Sequence, residues 1–120
     1  MKITKAQAEL FAQQNERTFV RITAEHLRQQ HAEALDKQGV KGERVEKFVR
    51  DTMAEAEKYG VVNEPDIRFY CECKLLLGPK FDRAADTAWA GEILRRTDID
   101  GAQKMSLIEQ HMLFAMDEPR

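Results

Sequence analysis

Apolar residues recur every three or four positions along most of the chain, which is the spacing of an amphipathic helix. The periodicity is clearest after Glu43, where one buried stripe would contain Val45, Phe48, Val49, Thr52, Met53 and Ala56. No segment alternates as a strand does, and no internal repeat is present. The sequence therefore predicts an all-α fold, a compact bundle of five or six helices in a single domain.

The sequence defines where the first helix begins and leaves two alternatives for how far it continues. Thr4 and Gln7 have the spacing of a capping box, so a helix should begin near Lys5. No Gly or Pro follows until Gly39, so residues 5 to 37 form either one long helix or two helices with a bend near Asn15. The two glycines within residues 38–42 then predict a loop.

Glycine and proline set the limits of the next helices. Gly60 is placed to end the helix that starts near Glu43, through a left-handed C-terminal cap. Asn63, with Pro65 in the first turn, starts a helix that should run to about residue 77. Gly78 and the proline after it end that helix. Because it is apolar over a wide arc, it is the expected central helix.

Two further helices are predicted from their caps and stripes. Asp86 can cap a short helix that carries Trp89, and Asp98 or Asp100 can cap a last helix. The apolar stripe of the last helix would contain Met105, Ile108, Met112, Ala115 and Met116. Residues 1–3 and 117–120 are expected to fray.

Composition narrows the class of protein. The 120 residues include 19 Lys and Arg against 21 Asp and Glu, a net charge of -2, which disfavours nucleic acid as a partner. With 42% apolar residues the chain is too hydrophobic to be disordered. The N-terminal residues lack the apolar run of a secretory signal, and no apolar stretch is long enough to cross a bilayer. We therefore expect a cytoplasmic protein without membrane contact.

Candidate chemistry is sparse. Segment 98–101 resembles part of a calcium loop, but Arg96 and Leu107 would occupy positions that require carboxylates. The three histidines do not have the spacing of metal ligands. Cys71 and Cys73 point about 200° apart on a helix and suit a core role. No catalytic, cofactor-binding or metal-binding residue is predicted, and no cofactor is expected.

A family resemblance depends on four segments. They are Ala56-Glu57-Lys58-Tyr59-Gly60-Val61; Glu64-x-Asp66 leading into Arg68-Phe69-Tyr70; Leu76-x-Gly78-Pro79-x-Phe81-Asp82; and Trp89-Ala90-x-Glu92-Ile93-Leu94. Together they resemble a family of small helical bacterial proteins encoded among type VI secretion genes, near spike proteins and toxic effectors. The resemblance covers residues 45–96, and Gly-Pro-x-Phe-Asp followed by Trp-Ala is its most specific part.

The resemblance implies a non-enzymatic accessory protein, an adaptor or co-chaperone that holds an effector for loading onto the secretion spike. The expected partner is thus a secreted effector or spike protein, and the expected partner-binding residues are Tyr59, Phe81, Asp82 and Trp89. In a second interpretation, Trp89 instead anchors the loop between residues 78 and 86 to the core.

Three other functions compete with the adaptor. An immunity protein that blocks a cognate toxin is also small and encoded beside a toxin, but the near-neutral overall charge does not favour it. A small enzyme could assemble a site from His26, Asp66 and His111, although no motif supports it. A transcription regulator is disfavoured because no basic recognition helix is visible. The sequence does not indicate an oligomeric state.

Overall fold

The computed structural model describes residues 4–117, and for residues 8–11, 116 and 117 it describes the backbone alone. Over residues 4–117 the fold is all-α, as predicted, with six α-helices, one short 3-10 helix and no strand. Contacts group the chain into two compact units, Met1–Arg50 and Asp51–Arg120. The expectation of a single domain stays a prediction.

The first unit contains α1 (Lys5–Gln30), α2 (Ala32–Lys37) and the first half of α3 (Arg44–Glu57). The capping box at the start of α1 is confirmed. The Gln7 N–H donates to the Thr4 hydroxyl at 3.1 Å, and the Thr4 N–H donates to Gln7 Oε1 at 3.0 Å. These two bonds satisfy backbone donors that the first helical turn leaves without partners.

Of the two alternatives for residues 5–37, two helices form, but the break between them lies at His31 and not near Asn15. Nothing interrupts the helical hydrogen bonding at Asn15, whereas the His31 backbone leaves the helical region, with φ −135° and ψ 36°. The His31 N–H still bonds to the Leu27 carbonyl at 2.8 Å. Beyond the break, the side chain of Leu35 in α2 is buried, with 4% of its surface exposed. The short helix α2 therefore contributes an apolar side chain to the core.

The loop predicted at residues 38–42 is confirmed, since α2 ends at Lys37 and α3 begins at Arg44. Arg28 of α1 supports this loop by donating to the Gly42 carbonyl at 3.0 Å. The buried residues of the first unit lie on the inward-facing sides of its helices: Phe19, Val20, Thr23, Ala24, Leu27, Leu35, Val45 and Val49.

The second unit contains the rest of α3, then α4 (Glu64–Leu77), a 3-10 helix (Ala85–Thr87), α5 (Ala88–Leu94) and α6 (Gly101–Asp117). The predicted helix limits are confirmed. Gly60 has a φ of 78° just after α3, and Gly78 has a φ of 116° just after α4. Both values lie where side chains other than hydrogen are disfavoured, which explains glycine at these two helix ends.

Of the predicted caps of the last two α-helices, the one for α5 is wrong and one of the two for α6 is confirmed. Asp86 is not the cap of α5, because it lies exposed inside the 3-10 helix and Thr87 holds the cap position. Asp100 does cap α6, since its side chain accepts from the Gln103 N–H at 2.8 Å. Asp117 belongs to α6 rather than to a frayed tail. The other residues expected to fray, 1–3 and 118–120, lie outside the described part of the chain.

Helices α4 and α6 run in the same direction. Gly101, the first residue of α6, lies against the backbone of Gly60 and Val61 just before α4. A little more than two turns after the start of each helix, the charge of Glu109 in α6 raises the pKa of Cys73 in α4. The core of this unit is drawn from all its helices and the loop after α4: Ala56, Val61, Ile67, Tyr70, Cys71, Cys73, Leu75, Phe81, Ala90, Leu94, Met105 and Ile108.

Candidate functional site

The loop between α4 and the 3-10 helix is held by an aromatic column. The ring of Phe81 lies edge-on to Tyr70, with centroids 5.0 Å apart. Tyr70 in turn stacks on Tyr59 at 6.4 Å. Phe81 is 1% exposed and Asp82 is 5% exposed, so neither offers a surface to a partner in this conformation. Three of the four residues predicted to bind a partner thus meet in the interior of the second unit or at its edge.

Hydrogen bonds complete this anchoring. The Tyr59 hydroxyl donates to Asp82 Oδ2 at 2.6 Å, and burial together with this bond raises the pKa of Tyr59 to about 12. The Thr87 hydroxyl donates to the Phe81 carbonyl at 2.8 Å, and the Arg95 guanidinium donates to the Asp82 carbonyl at 3.0 Å. The polar groups of the loop therefore fix its conformation.

Trp89 does not anchor that loop by stacking on its aromatic residues. It is half-buried on α5 and stacks on His111 of α6, with ring centroids 3.8 Å apart and planes 13° from parallel. Phe81 performs the anchoring that the second interpretation gave to Trp89. Tyr59 and Trp89 remain partly accessible, so the prediction that they bind a partner stays a prediction.

The side chains proposed for a composite enzyme site are engaged locally. His111 is stacked on Trp89, and Asp66 accepts from the Asn63 side chain at 3.4 Å. His26 lies in the first unit, where its ring centroid is 6.3 Å from that of His31. The helix break at His31 creates this proximity, which the spacing of a continuous helix does not predict. Two imidazoles supply only part of the ligand set that a zinc site needs.

The two cysteines are inert thiols. Both are free and buried. Burial raises the pKa of Cys71 to about 12, against the opposing effects of a Thr52 hydrogen bond and the Lys74 charge. Burial also raises the pKa of Cys73, and the charge of Glu72 adds to the effect. Because the thiolate is the nucleophile, neither position is suited to covalent or redox chemistry near neutral pH.

Two lysines of the second unit are almost fully buried, and each has a polar partner. Lys74 of α4 is 5% exposed and forms an ion pair with Glu55 of α3 at 3.1 Å. Lys104 of α6 is 7% exposed and donates to the Tyr59 carbonyl at 2.9 Å. A buried charge without a partner would be costly, so these bonds let charged residues occupy core positions.

Apolar side chains remain exposed where α4 and α6 end. Leu76 is 55% exposed near the end of α4, while Leu113 and Phe114 are 54% and 73% exposed near the end of α6. Because the two helices run in the same direction, their C-terminal ends lie at the same end of the unit. Trp89 belongs to this region through its contact with His111. We call Leu76, Trp89, Leu113 and Phe114 the C-terminal apolar patch.

The first unit carries a groove of about 570 Å³ between α1 and α3. Its lining residues are mostly polar or charged: Gln13, Glu16, Arg17, Thr18, Val20, Arg21, Glu46 and Arg50. We call it the arginine groove. The sequence does not reveal this groove, because Arg and Glu residues interspersed along an amphipathic helix are typical of any solvent-exposed helix face. Only the approach of α3 to α1 brings three arginines together.

The overall charge of -2 conceals an uneven distribution. Residues 1–50 contain ten Lys and Arg against seven Asp and Glu, a net charge of +3. Residues 51–120 contain nine Lys and Arg against fourteen Asp and Glu, a net charge of −5. The arginine groove thus belongs to a basic unit, and the C-terminal apolar patch to an acidic one.

Comparisons with known protein families, with characterised proteins and with solved structures find no match to this chain. Among the described helices, none is both long and apolar enough to traverse a membrane. The function therefore has to be argued from the two surfaces and from the sequence resemblance.

Proposed function

We propose that this chain is a non-enzymatic accessory protein, an adaptor or co-chaperone that binds a type VI secretion effector or spike component. The observation that carries a binding role is the C-terminal apolar patch. Leu113 and Phe114 are more than half exposed on consecutive positions of α6. Several exposed apolar side chains at one end of a unit are a common mark of a protein interface.

The size of the patch is consistent with this role. Fully burying a Leu or Phe side chain stabilises a complex by about 1.5–3 kcal/mol before the costs of association. Phe114 and Leu113 can therefore provide the central contact of an interface at the C-terminal end of α6. The end of an amphipathic helix such as α6 can bind in an apolar groove of a partner.

The type VI partner is supported by the resemblance of residues 45–96 alone. The anchored loop agrees with an accessory role, because Tyr59, Thr87 and Arg95 use their polar groups to hold it. Buried, high-pKa thiols at Cys71 and Cys73 remove two candidate nucleophiles. Since neither the anchored loop nor these thiols supplies a reactive group, the proposed role depends on contacts made by exposed side chains elsewhere in the protein.

The test is affinity capture with the tagged full chain in its native host, followed by mass-spectrometric identification. We expect an effector or spike component to be captured by the wild type and lost with a Leu113→Ala/Phe114→Ala variant. Ile22→Ala is the matched control, since Ile22 is 52% exposed in the other unit. Trp89→Ala should weaken capture. Recovery of no secretion component, or equal recovery by the double variant, contradicts the proposal.

An immunity protein is the second candidate, and the charge of residues 51–120 favours it. A net charge of −5 over this stretch can complement a basic toxin such as a nuclease. The distinguishing assay measures activity of the co-purified effector with and without the protein. Strong inhibition supports immunity, while unchanged activity together with capture supports the adaptor.

A further inference from the structure

We propose that the arginine groove of the first unit binds a small ligand that carries two oxyanionic groups, phosphates or carboxylates. The groove has two walls. Arg17 and Arg21 stand one turn apart on α1, and Arg50 comes from α3. The inference concerns this unit and does not depend on the C-terminal apolar patch.

Among the side chains that the structure describes, none pairs with the three guanidinium groups. Within residues 4–117, no hydrogen bond or ion pair joins Arg17, Arg21 or Arg50 to another described side chain. Arg28, on the same face of α1, contrasts with them, because it pairs with Glu25 at 3.6 Å and donates to the Gly42 carbonyl. The groove thus brings together three guanidinium groups without an ion pair to another described side chain.

The chemistry of these groups selects the ligand class. A guanidinium presents a planar fork of N–H donors that matches a phosphate or a carboxylate in a bidentate fashion. Arg17 and Arg21 have like charges one helical turn apart, which repel each other until an anion lies between them. Binding an oxyanion therefore removes a repulsion as well as adding charge-assisted hydrogen bonds.

The size and the other lining residues limit the ligand further. A volume of about 570 Å³ falls in the range of small-molecule sites and exceeds what a single phosphate fills. Arginines on both walls suit a ligand with two separated anionic groups. Glu16 and Glu46 also line the groove, so a hydroxyl or amine of the ligand should face them, and Val20 provides an apolar floor.

The experiment is isothermal titration calorimetry of the full chain with inorganic pyrophosphate and, separately, with citrate, at low ionic strength. We expect saturable binding of at least one probe with a Kd of about 1 mM or tighter. Pyrophosphate alone indicates a phosphate ligand, citrate alone a carboxylate ligand, and both the shared chemistry. Failure of both probes to bind overturns the proposal.

The variants separate a site from general attraction. Arg21→Gln and Arg50→Gln should each weaken binding about tenfold, because each removes charge-assisted hydrogen bonds. Arg44→Gln is the matched control, an exposed arginine of α3 that does not line the groove. Equal weakening by Arg44→Gln overturns the proposal. Circular dichroism should show unchanged helicity in all three variants, because these side chains are exposed.

Discussion

The two tyrosines of the aromatic column differ in hydrogen bonding, because the hydroxyl of one has a partner and the hydroxyl of the other has none among the described residues. Removing each hydroxyl in turn therefore tests the hydrogen bonds assigned to them. The Tyr59 hydroxyl donates to the Asp82 carboxylate at 2.6 Å. The Tyr70 hydroxyl is buried and has no hydrogen-bond partner among the described residues. Replacing each tyrosine with phenylalanine deletes one oxygen and leaves the stacked ring in place. We expect the two changes to move stability in different directions.

The magnitudes follow from what each hydroxyl contributes. Tyr59→Phe deprives a carboxylate that is 5% exposed of a donor, which costs about 1–3 kcal/mol. Because Tyr59 itself is only half-buried, water can partly replace the bond, and the lower part of that range is expected. Tyr70→Phe removes a hydroxyl that was desolvated without compensation, so it should be neutral or stabilising by up to about 2 kcal/mol.

Urea unfolding followed by far-ultraviolet circular dichroism measures both effects. The midpoint should fall for Tyr59→Phe and stay or rise for Tyr70→Phe, with unchanged slopes. Tyr59→Ala serves as a control for loss of the ring. Equal destabilisation by Tyr59→Phe and Tyr70→Phe, or no effect of Tyr59→Phe, would refute the assigned hydrogen bonding.

The same phenol predicts a pH dependence in alkaline solution. Burial and the bond to Asp82 raise the pKa of Tyr59 from 10.0 to about 12 in the folded protein. The folded state thus holds its proton more tightly, so this contribution to stability is complete below pH 10 and is lost as pH rises toward 12. Over that interval, the stability difference between wild type and Tyr59→Phe should shrink. A constant difference would contradict the raised pKa.

Three further outcomes are expected. Gly101→Ala should destabilise the protein by about 1–3 kcal/mol in urea unfolding, because an added Cβ would overlap the Gly60 carbonyl, although helix propensity alone favours Ala. Cys71 and Cys73 should not react with a thiol reagent near pH 8 until the protein is unfolded in urea, since burial raises both pKa values. Asp100→Ala should cost about 1 kcal/mol by removing the α6 cap, and Tm should fall by about 4 °C.

Each of these outcomes has a control and a contrary result. Ala102→Gly, at an exposed position of α6, measures the effect of helix propensity without the overlap. A Gly101→Ala protein as stable as wild type would contradict the close packing of Gly101 against Gly60. Rapid labelling of either cysteine in the folded state would contradict its burial. Asp98→Ala breaks an exposed pair with Arg96 and should lower Tm less than Asp100→Ala does.

The helix limits could be predicted because they depend on neighbouring residues in sequence. The capping box at Thr4, the glycines after α3 and α4, and the stripe of α3 all act within one or two turns. The break at His31 could not be predicted in this way, because no glycine or proline marks it.

The roles of individual residues in the loop and in the groove could not be predicted from the sequence. The sequence located Phe81 and Asp82 in an ordered loop but did not show that they are buried against Tyr70 and bonded to Tyr59. The arginine groove depends on the approach of α1 and α3, whose groove-lining residues lie more than twenty positions apart in the sequence. Residue spacing within one helix contains no information about that approach, so Arg17 and Arg50 looked like ordinary surface charges.

The stack of Trp89 on His111 has a practical consequence for measuring partial opening. Trp89 is the only tryptophan of the chain, so its fluorescence arises from one place, the contact of α5 with α6. If α5 detaches while the other helices stay intact, Trp89 emission will change before the far-ultraviolet signal does. Coincident transitions would instead identify α5 as part of the same cooperative unit as the rest of the helices. The protein thus contains its own site-specific fluorophore.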